Sequence, residues 1–190
     1  MYVGTSNGTL RRIVESGGSE AWTVDLIGGS TNPSVDALEV DRSERIFVGC
    51  GNGEVRSFNN DGNELFNTIP FEDEFTELGN FQEEPITDLA VIDEKLYVIS
   101  GPYAAKLDAV NGDVDWKIGP IEIESAEVEL QVVGVHPSGS VYVYGIEPDE
   151  VGKLFKIEDG EIVAEPVELT DSHVRDISIQ PGTPEPHWKS

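Results

Sequence analysis

The sequence has few basic residues, a single cysteine and no long apolar run. Of its 190 residues, 12 are Lys or Arg and 37 are Asp or Glu, so the formal net charge is −25. Nucleic-acid binding needs a basic surface that neutralises phosphates, and Arg11-Arg12 is the only adjacent basic pair. We therefore expect no nucleic-acid partner. The lone Cys50 excludes a disulfide within the chain, and its place after residues 46–49 (IFVG) favours a buried strand position.

The sequence also lacks segments that would direct the chain into or across a membrane. No apolar stretch approaches the roughly 18 residues that a membrane-spanning helix needs. The first residues, MYVG, carry neither a basic nor an apolar signal region. We therefore expect synthesis in the cytoplasm, no membrane insertion, and a location in the cytoplasm or in a virion.

The excess of acidic residues has a physical consequence. Self-repulsion of this size destabilises a compact state at low ionic strength, and about 1 M salt shortens the Debye length to about 3 Å. The composition therefore predicts a protein adapted to molar salt, from a halophilic archaeon or its virus. A basic partner and several weak cation sites are the alternative explanations.

What the sequence does contain is a repeat of about 45 residues. Residues 1–4, 46–49, 96–99 and 141–144 each centre on an aromatic residue, and these four aromatics are 45, 50 and 45 residues apart. Such spacing falls in the range of about 40–50 residues for one blade of a propeller. Asn7-Gly8 and Asn52-Gly53 follow two of these segments as signals for tight hairpin turns.

The repeat predicts an all-β fold, a four-bladed β-propeller forming one domain over residues 1–181, with a Pro-rich tail over 182–190. Three blades are expected at 35–69, 86–118 and 130–169. The first blade is expected to combine residues 1–26 with a closing strand from 174–181, because Asp176-Ile177 repeats the inner-strand pattern of Asp36-Ala37 and Asp88-Leu89. Such closure leaves no open sheet edge. The alternative is half of an eight-bladed ring formed by two chains, so the oligomeric state is left open.

Two segments carry a resemblance to a known family. Residues 107–116, LDAVNGDVDW, resemble the LDAxTGxxxW repeat of PQQ-like and WD40-like propellers, and residues 2–10, YVGTSNGTL, are similar to a strand pair of that family. The resemblance implies that the Gly and aromatic positions hold neighbouring blades together. It assigns blade packing to Trp22, Phe66, Trp116, Gly18, Gly62 and Gly112. Quinoprotein enzymes of the family use a larger ring and a cysteine pair, so the resemblance implies the fold and not the cofactor.

The sequence indicates no catalytic residue, no cofactor and no metal. His136, His173 and His187 are far apart, and the acidic turn at 59–64 lacks the spacing of a calcium loop. We therefore expect a protein that is not an enzyme. The enzymatic alternative is a small propeller hydrolase or lyase, which would need His and carboxylates together on the ring axis.

Aromatic residues within acidic connections indicate where a partner binds. The connection 70–85 carries Phe71, Phe75 and Phe81 among six acids, and the tail carries Trp188; aromatic anchors within a polar rim are typical of interaction surfaces. The alternative is that these rings pack under their own loop. The sequence thus predicts a structural or adaptor propeller that binds proteins of a larger assembly, such as a tail, baseplate or capsid-attached component of a haloarchaeal virus. Recognition of a host-surface protein or glycan is the alternative function.

Overall fold

The computed structural model describes residues 1–14, 17–26, 33–76, 84–123, 126–146, 151–169, 174–177 and 179, without the side chains of residues 75 and 76. Apart from one short helix, the regular secondary structure of these residues consists of β-strands. The first antiparallel sheet has three strands: β1 (Tyr2–Gly4), β2 (Thr9–Ile13) and β3 (Glu20–Asp25). The second sheet has four: β4 (Val35–Val40), β5 (Ile46–Cys50), β6 (Val55–Phe58) and β7 (Glu64–Thr68).

The short helix α1 (Glu72–Thr76) follows, and then the third sheet with β8 (Asp88–Ile92), β9 (Lys95–Ser100), β10 (Tyr103–Asp108) and β11 (Val114–Ile118). A two-stranded ribbon, β12 (Glu122–Ile123) and β13 (Ala126–Glu127), leads to the fourth sheet. That sheet contains β14 (Glu129–Val135), β15 (Val141–Ile146), β16 (Gly152–Glu158), β17 (Glu161–Ile162) and β18 (Val167–Leu169). In the part of the chain that the structure describes, no helix has the length and apolar character to cross a membrane.

Local turn chemistry explains why the strands pair in sequence order. Gly8 and Gly53 both have φ near 76°, a conformation that glycine adopts without strain. Gly8 lies in the hairpin between β1 and β2, and Gly53 lies in the hairpin between β5 and β6. Each of these glycines follows an asparagine, and the sequence predicted a tight hairpin turn at both Asn-Gly pairs. Hairpins of this kind make each repeat unit a separate antiparallel sheet.

Apolar side chains on the sheet faces hold the sheets side by side. One buried cluster, with Leu10, Val48 and Phe58, joins the first sheet to the second. A further cluster joins the second to the third, and another joins the third to the fourth. Three of the aromatics on which the repeat segments centre, Tyr2, Phe47 and Tyr97, lie in or against these clusters, so the repeat contributes directly to the contact between sheets.

Closure of the ring by the C-terminal strand is not confirmed by the described residues. Residues 174–177 and 179 lie outside strands, and β1 pairs only with β2. A Cβ built on Gly134 of β14 would lie 2.6 Å from Cγ2 of Ile177, so the segment lies against the fourth sheet. Residues 178, 180 and 181 and the tail 182–190 lie outside the described part of the chain.

Candidate protein-interaction surface

Each sheet contacts the next through an aromatic ring placed over a glycine. A Cβ built on Gly62 would lie 3.0 Å from Trp22 Cδ2, and one built on Gly112 would lie 2.6 Å from Phe66 Cδ2. Both glycines have positive φ, 83° and 80°, so they also supply the turn. The same contact recurs between Trp116 and Gly160, where the Cβ would lie 3.3 Å from Trp116 Cβ. The pattern therefore joins the first sheet to the second, the second to the third and the third to the fourth.

A β-bulge points each of these rings at the neighbouring sheet. The register between the last two strands shifts immediately after the pairs Arg12–Trp22, Ser57–Phe66 and Lys106–Trp116. A bulge bends its strand and re-aims the side chains beside it. Because it recurs beside all three aromatics, the bulge belongs to the repeated contact between sheets.

Asn60 fixes the contact between the first and second sheets, and the sequence patterns gave no indication of this role. Its backbone carbonyl accepts hydrogen bonds from Trp22 Nε1 and Arg12 Nη1, both at 2.9 Å. Its side-chain Oδ1 accepts a third from the hydroxyl of Tyr2 at 2.7 Å. Asn60 lies in the acidic turn at 59–64, and that turn therefore serves as the docking point for the preceding sheet.

The series of ring-on-glycine contacts stops at both ends of the described chain. Gly18, the first sheet's counterpart of Gly62, has φ near 66°, and a Cβ built on it would have no described atom within 4 Å. In the fourth unit the aromatic position holds Ala164. Gly18 was predicted to pack between blades, and among the described residues it contacts no aromatic ring.

One face of the first sheet is uncovered, and we call this the open face; it includes Val3, Arg11 and Thr23, which are aligned across β1, β2 and β3. Val3 is 37% exposed, whereas its counterparts on the next three sheets are each 0% exposed. Those counterparts are Val48, Val98 and Val143, and each belongs to the apolar cluster shared with the preceding sheet. The open face thus has the construction of an interface without a covering sheet.

Arg11 on the open face shows the same contrast in exposure. Its side chain is 47% exposed and pairs with Glu20 on the same sheet at 3.3 Å. Arg56, at the matching position of the second sheet, is 7% exposed beneath the first sheet. A polar residue at this position is therefore compatible with burial when a preceding sheet is present.

The predicted aromatic anchors of the 70–85 connection require one correction. Phe71 is 2% exposed and stacks on Tyr103 with ring centroids 5.8 Å apart, within the cluster between the second and third sheets. Its ring is therefore part of the core and cannot anchor a partner. The side chain of Phe75, and all of Phe81 and Trp188, lie outside the described residues.

Acidic side chains gather where the inner strands β4, β8 and β14 approach one another. Asp88 accepts a hydrogen bond from the Val133 amide at 2.9 Å, which ties β8 to β14. Burial raises the pKa of Glu39 and of Asp88, and the nearby charge of Asp176 raises both further. An open cavity of about 400 Å³ lies close by, lined by Thr87, Glu129, Gln131, Val132, Val174 and Arg175. Within the described ranges, no three His, Cys, Asp or Glu side chains are placed to hold a metal ion.

Two further residues, Cys50 and Ser6, have nucleophilic side chains. Burial raises the pKa of the Cys50 thiol to about 12, so this group is a buried apolar contact and not a nucleophile. Residues 4–8, GTSNG, have the spacing of a hydrolase nucleophile elbow, which sits on a strand-to-helix turn. Here they form the hairpin between β1 and β2, so they match the elbow in sequence pattern but not in structure.

Comparison with known proteins identifies the fold. No protein family matches the sequence, and no curated protein matches it either. BamB from Moraxella catarrhalis superposes over 86% of this chain and 44% of its own, with 13% identity and a TM-score of 0.59. Sqt1 from Saccharomyces cerevisiae superposes over 82% of this chain and 40% of its own, with 14% identity and a TM-score of 0.59.

A quinohemoprotein alcohol dehydrogenase from Pseudomonas putida HK5 superposes over 90% of this chain and 33% of its own, with 14% identity and a TM-score of 0.62. These structures are β-propellers, so the chain has a β-propeller fold. The chain spans less than half the length of the structures that it resembles. At such low identity the likeness establishes the fold and leaves the chemistry to be argued from this chain's own residues.

Proposed function

We propose that this chain is a non-catalytic propeller that binds protein partners, and that the open face of the first sheet is one of its contact surfaces. The observation that carries the proposal is the exposure of Val3, set against the complete burial of its three counterparts. When a partner covers such a face, the complex is stabilised by roughly 25 cal/mol per Å² of apolar area removed from water. β-Propellers like those that this chain resembles generally suit a role as scaffolds for protein–protein interaction.

The non-catalytic part of the proposal is supported by what the acidic side chains do. The Asp88 carboxylate holds the Val133 amide, and Asp108 accepts a hydrogen bond from the Val110 amide within a turn. Both are structural uses of a carboxylate. The buried thiol of Cys50 and the hairpin position of Ser6 likewise supply no activated nucleophile.

A Val3→Glu substitution tests the proposed surface, and Val110→Glu is the matched control. Val110 is 53% exposed at a turn of the third sheet, so it receives the same charge on a surface outside the open face. The tagged chain would be expressed in the organism that encodes it, cross-linked in molar KCl and sized by sedimentation. We expect the wild type and Val110→Glu to be recovered in complexes, and Val3→Glu to lose them. Recovery of all three only as single chains would contradict the proposal.

The narrower hypothesis concerns a virion component of a haloarchaeal virus. It is supported by the net charge of −25 and by analogy, since a chain of this charge needs the screening of molar salt to remain compact. Co-sedimentation of the chain with particles from infected cells is its test. Absence from purified particles would exclude this hypothesis and leave the protein-binding proposal standing.

A further inference from the structure

Residues 174–177, which we call the strap, lie among the inner strands β4, β8 and β14 of the same chain. A Cβ built on Gly134 of β14 would lie 2.6 Å from Cγ2 of Ile177 and 3.2 Å from its carbonyl oxygen, so both the side chain and the backbone of the strap contact this strand. Val174 and Arg175 form one wall of the cavity described above. The strap is not itself a strand, and the described residues show no backbone hydrogen bond between it and a strand.

Three carboxyl groups from separate parts of the chain face one another at the strap. Burial raises the pKa of Glu39 on β4 and of Asp88 on β8, and the charge of Asp176 on the strap raises both further. The charge of Asp88 adds to the rise at Glu39. Asp88 is fixed in place, because its carboxylate accepts a hydrogen bond from the Val133 amide at 2.9 Å. The strap, which no strand pairing holds, is therefore the part that moves when these charges repel one another.

The other charged groups at this place leave the balance negative. β14 carries one titratable residue, Glu129, whose pKa is raised by burial and then by the charges of Glu84 and Glu127. Arg175 is the one basic residue of the strap, and it lines the same cavity as Glu129. Together with the three carboxyl groups above, Glu129 therefore gives four acids against one guanidinium group.

Apolar packing and charge repulsion act on the strap in opposite directions. The contact of Ile177 with β14 at Gly134 favours docking, because it removes apolar area from water. Repulsion of Asp176 by the carboxylates of Glu39 and Asp88 opposes docking. Such repulsion is stronger between partly buried charges than between exposed ones, since the local dielectric constant is lower and salt screens less. Protonation or screening removes the opposing force and leaves the packing.

We propose that the strap docks on β14 when the carboxyl groups that face it are protonated or screened by salt, and that it detaches when they are charged and poorly screened. Because Val174 and Arg175 form one wall of the cavity beside β14, detachment also opens that cavity. The charge state of Asp176, Glu39 and Asp88 thus sets whether the cavity exists. The strap lies on the inner strands, so a partner at the open face is not required for this behaviour.

Proton linkage gives the direction of the pH dependence. The part of the rise in pKa that Asp176 causes at Glu39 and Asp88 exists only while the strap is docked, so the docked state binds protons more tightly than the detached state. Docking therefore strengthens as the pH falls through the raised pKa values. It stops changing below the ordinary values of 4.5 for Glu39 and 3.8 for Asp88, where both groups are protonated in either state.

A spin label on the strap measures docking in molar KCl. Cys50 is buried, and burial raises the pKa of its thiol to about 12, so a thiol-reactive nitroxide attaches selectively to an introduced cysteine. With Val174→Cys as the labelled site, the ratio of immobile to mobile label should rise about threefold or more between about pH 7.5 and about pH 4.5. Asp176→Asn in the same labelled chain should be largely immobile at both pH values, and Ile177→Ala should be largely mobile at both.

Glu161→Gln is the matched control, because it removes an exposed carboxylate on β17, and it should keep the wild-type pH response. Near-UV circular dichroism verifies that each variant is folded at each pH, and Ile179→Cys is the second labelled site if Val174→Cys does not fold. A label whose mobility does not change with pH would overturn the proposal, whether it is mobile or immobile throughout. An unchanged pH response in Asp176→Asn would overturn it equally, since other carboxyl groups would then cause the response. Loss of the response in Glu161→Gln would also overturn it, because total charge would then be the cause.

Discussion

Glycines under aromatic rings explain at the residue scale why neighbouring sheets come so close. At Gly112 a Cβ would lie 2.6 Å from Phe66, a ring that is 8% exposed and cannot move aside freely. At Gly18 the backbone also has positive φ, but no described atom lies within 4 Å of such a Cβ. Both glycines have a left-handed backbone, with φ near 66° and 80°, and of the two only Gly112 lies under a ring, so a comparison of the two isolates most of the ring contact.

This pair predicts different losses of stability. Gly18→Ala should cost about 1–2 kcal/mol, because a Cβ in the left-handed region is strained. Gly112→Ala should cost a further 1–3 kcal/mol or so, because the added Cβ overpacks the Phe66 contact. Chemical denaturation in molar KCl measures both, and equal losses would mean that the Phe66 contact is not tight.

The residue scale also separates what was predictable from what was not. The Asn-Gly turns at 7–8 and 52–53 were predicted because a two-residue hairpin needs positive φ, which is a local property of the chain. The role of Asn60 was not predicted, since its partners Tyr2 and Trp22 come from another sheet and are 58 and 38 residues away in sequence. Nothing in the local turn at 59–64 reveals which side chains dock on its carbonyl.

At the scale of the elements, the inner strands β4 and β8 carry carboxylates in partly buried positions, Glu39 and Asp88. Burial raises the pKa of Glu39 above its ordinary 4.5, and the charges of Asp88 and Asp176 add to the rise. A carboxyl with a raised pKa binds its proton more tightly in the folded state than in the unfolded state. Its contribution therefore lowers the free energy of unfolding as pH rises from about 4.5 through the folded pKa.

Glu39→Gln should for this reason be more stable than the wild type at pH 7. The gain should shrink as the pH falls through the folded pKa and be absent below about pH 4.5, where Glu39 becomes protonated in both states. Glu161→Gln, at an exposed carboxylate, controls for the removal of one charge from a very acidic chain. Thermal melts across pH 4–8 would contradict the account if both variants gave the same pH profile.

Sequence periodicity predicted the strands of this fold well, because each unit repeats the same aromatic and turn positions. It did not reveal where residues 174–179 lie. The pattern Asp176-Ile177 identifies an inner strand, but the choice of its neighbouring sheet depends on how far the arc of sheets bends. That curvature arises from side-chain packing between sheets and has no local signature. The same reasoning explains Phe71, whose place in a connection suggested exposure although its ring is buried against Tyr103.

At the scale of the whole molecule, the net charge of −25 on 190 residues sets the conditions under which the fold is stable. We expect the near-UV circular dichroism signal to be lost at about 0.1 M salt and regained at molar KCl, because screening shortens the Debye length from about 10 Å to about 3 Å. An uncharged osmolyte at equal osmolarity is the control, since it does not screen charge. A signal equally strong at both salt concentrations would contradict the prediction.

The central claim is that the open face of the first sheet is a binding surface, and hydrogen exchange at β1 tests it most directly. In a dilute solution of the chain in molar KCl, the amides of residues 2–4 should exchange rapidly. They should become protected as the chain concentration is raised or as a partner is added. Residues 46–50, which β5 places at the matching position of the covered second sheet, should stay protected throughout. If residues 2–4 are already as protected as 46–50 at the lowest concentration, the sheet is covered within one chain and the claim is wrong. It is equally wrong if no concentration or partner ever protects them.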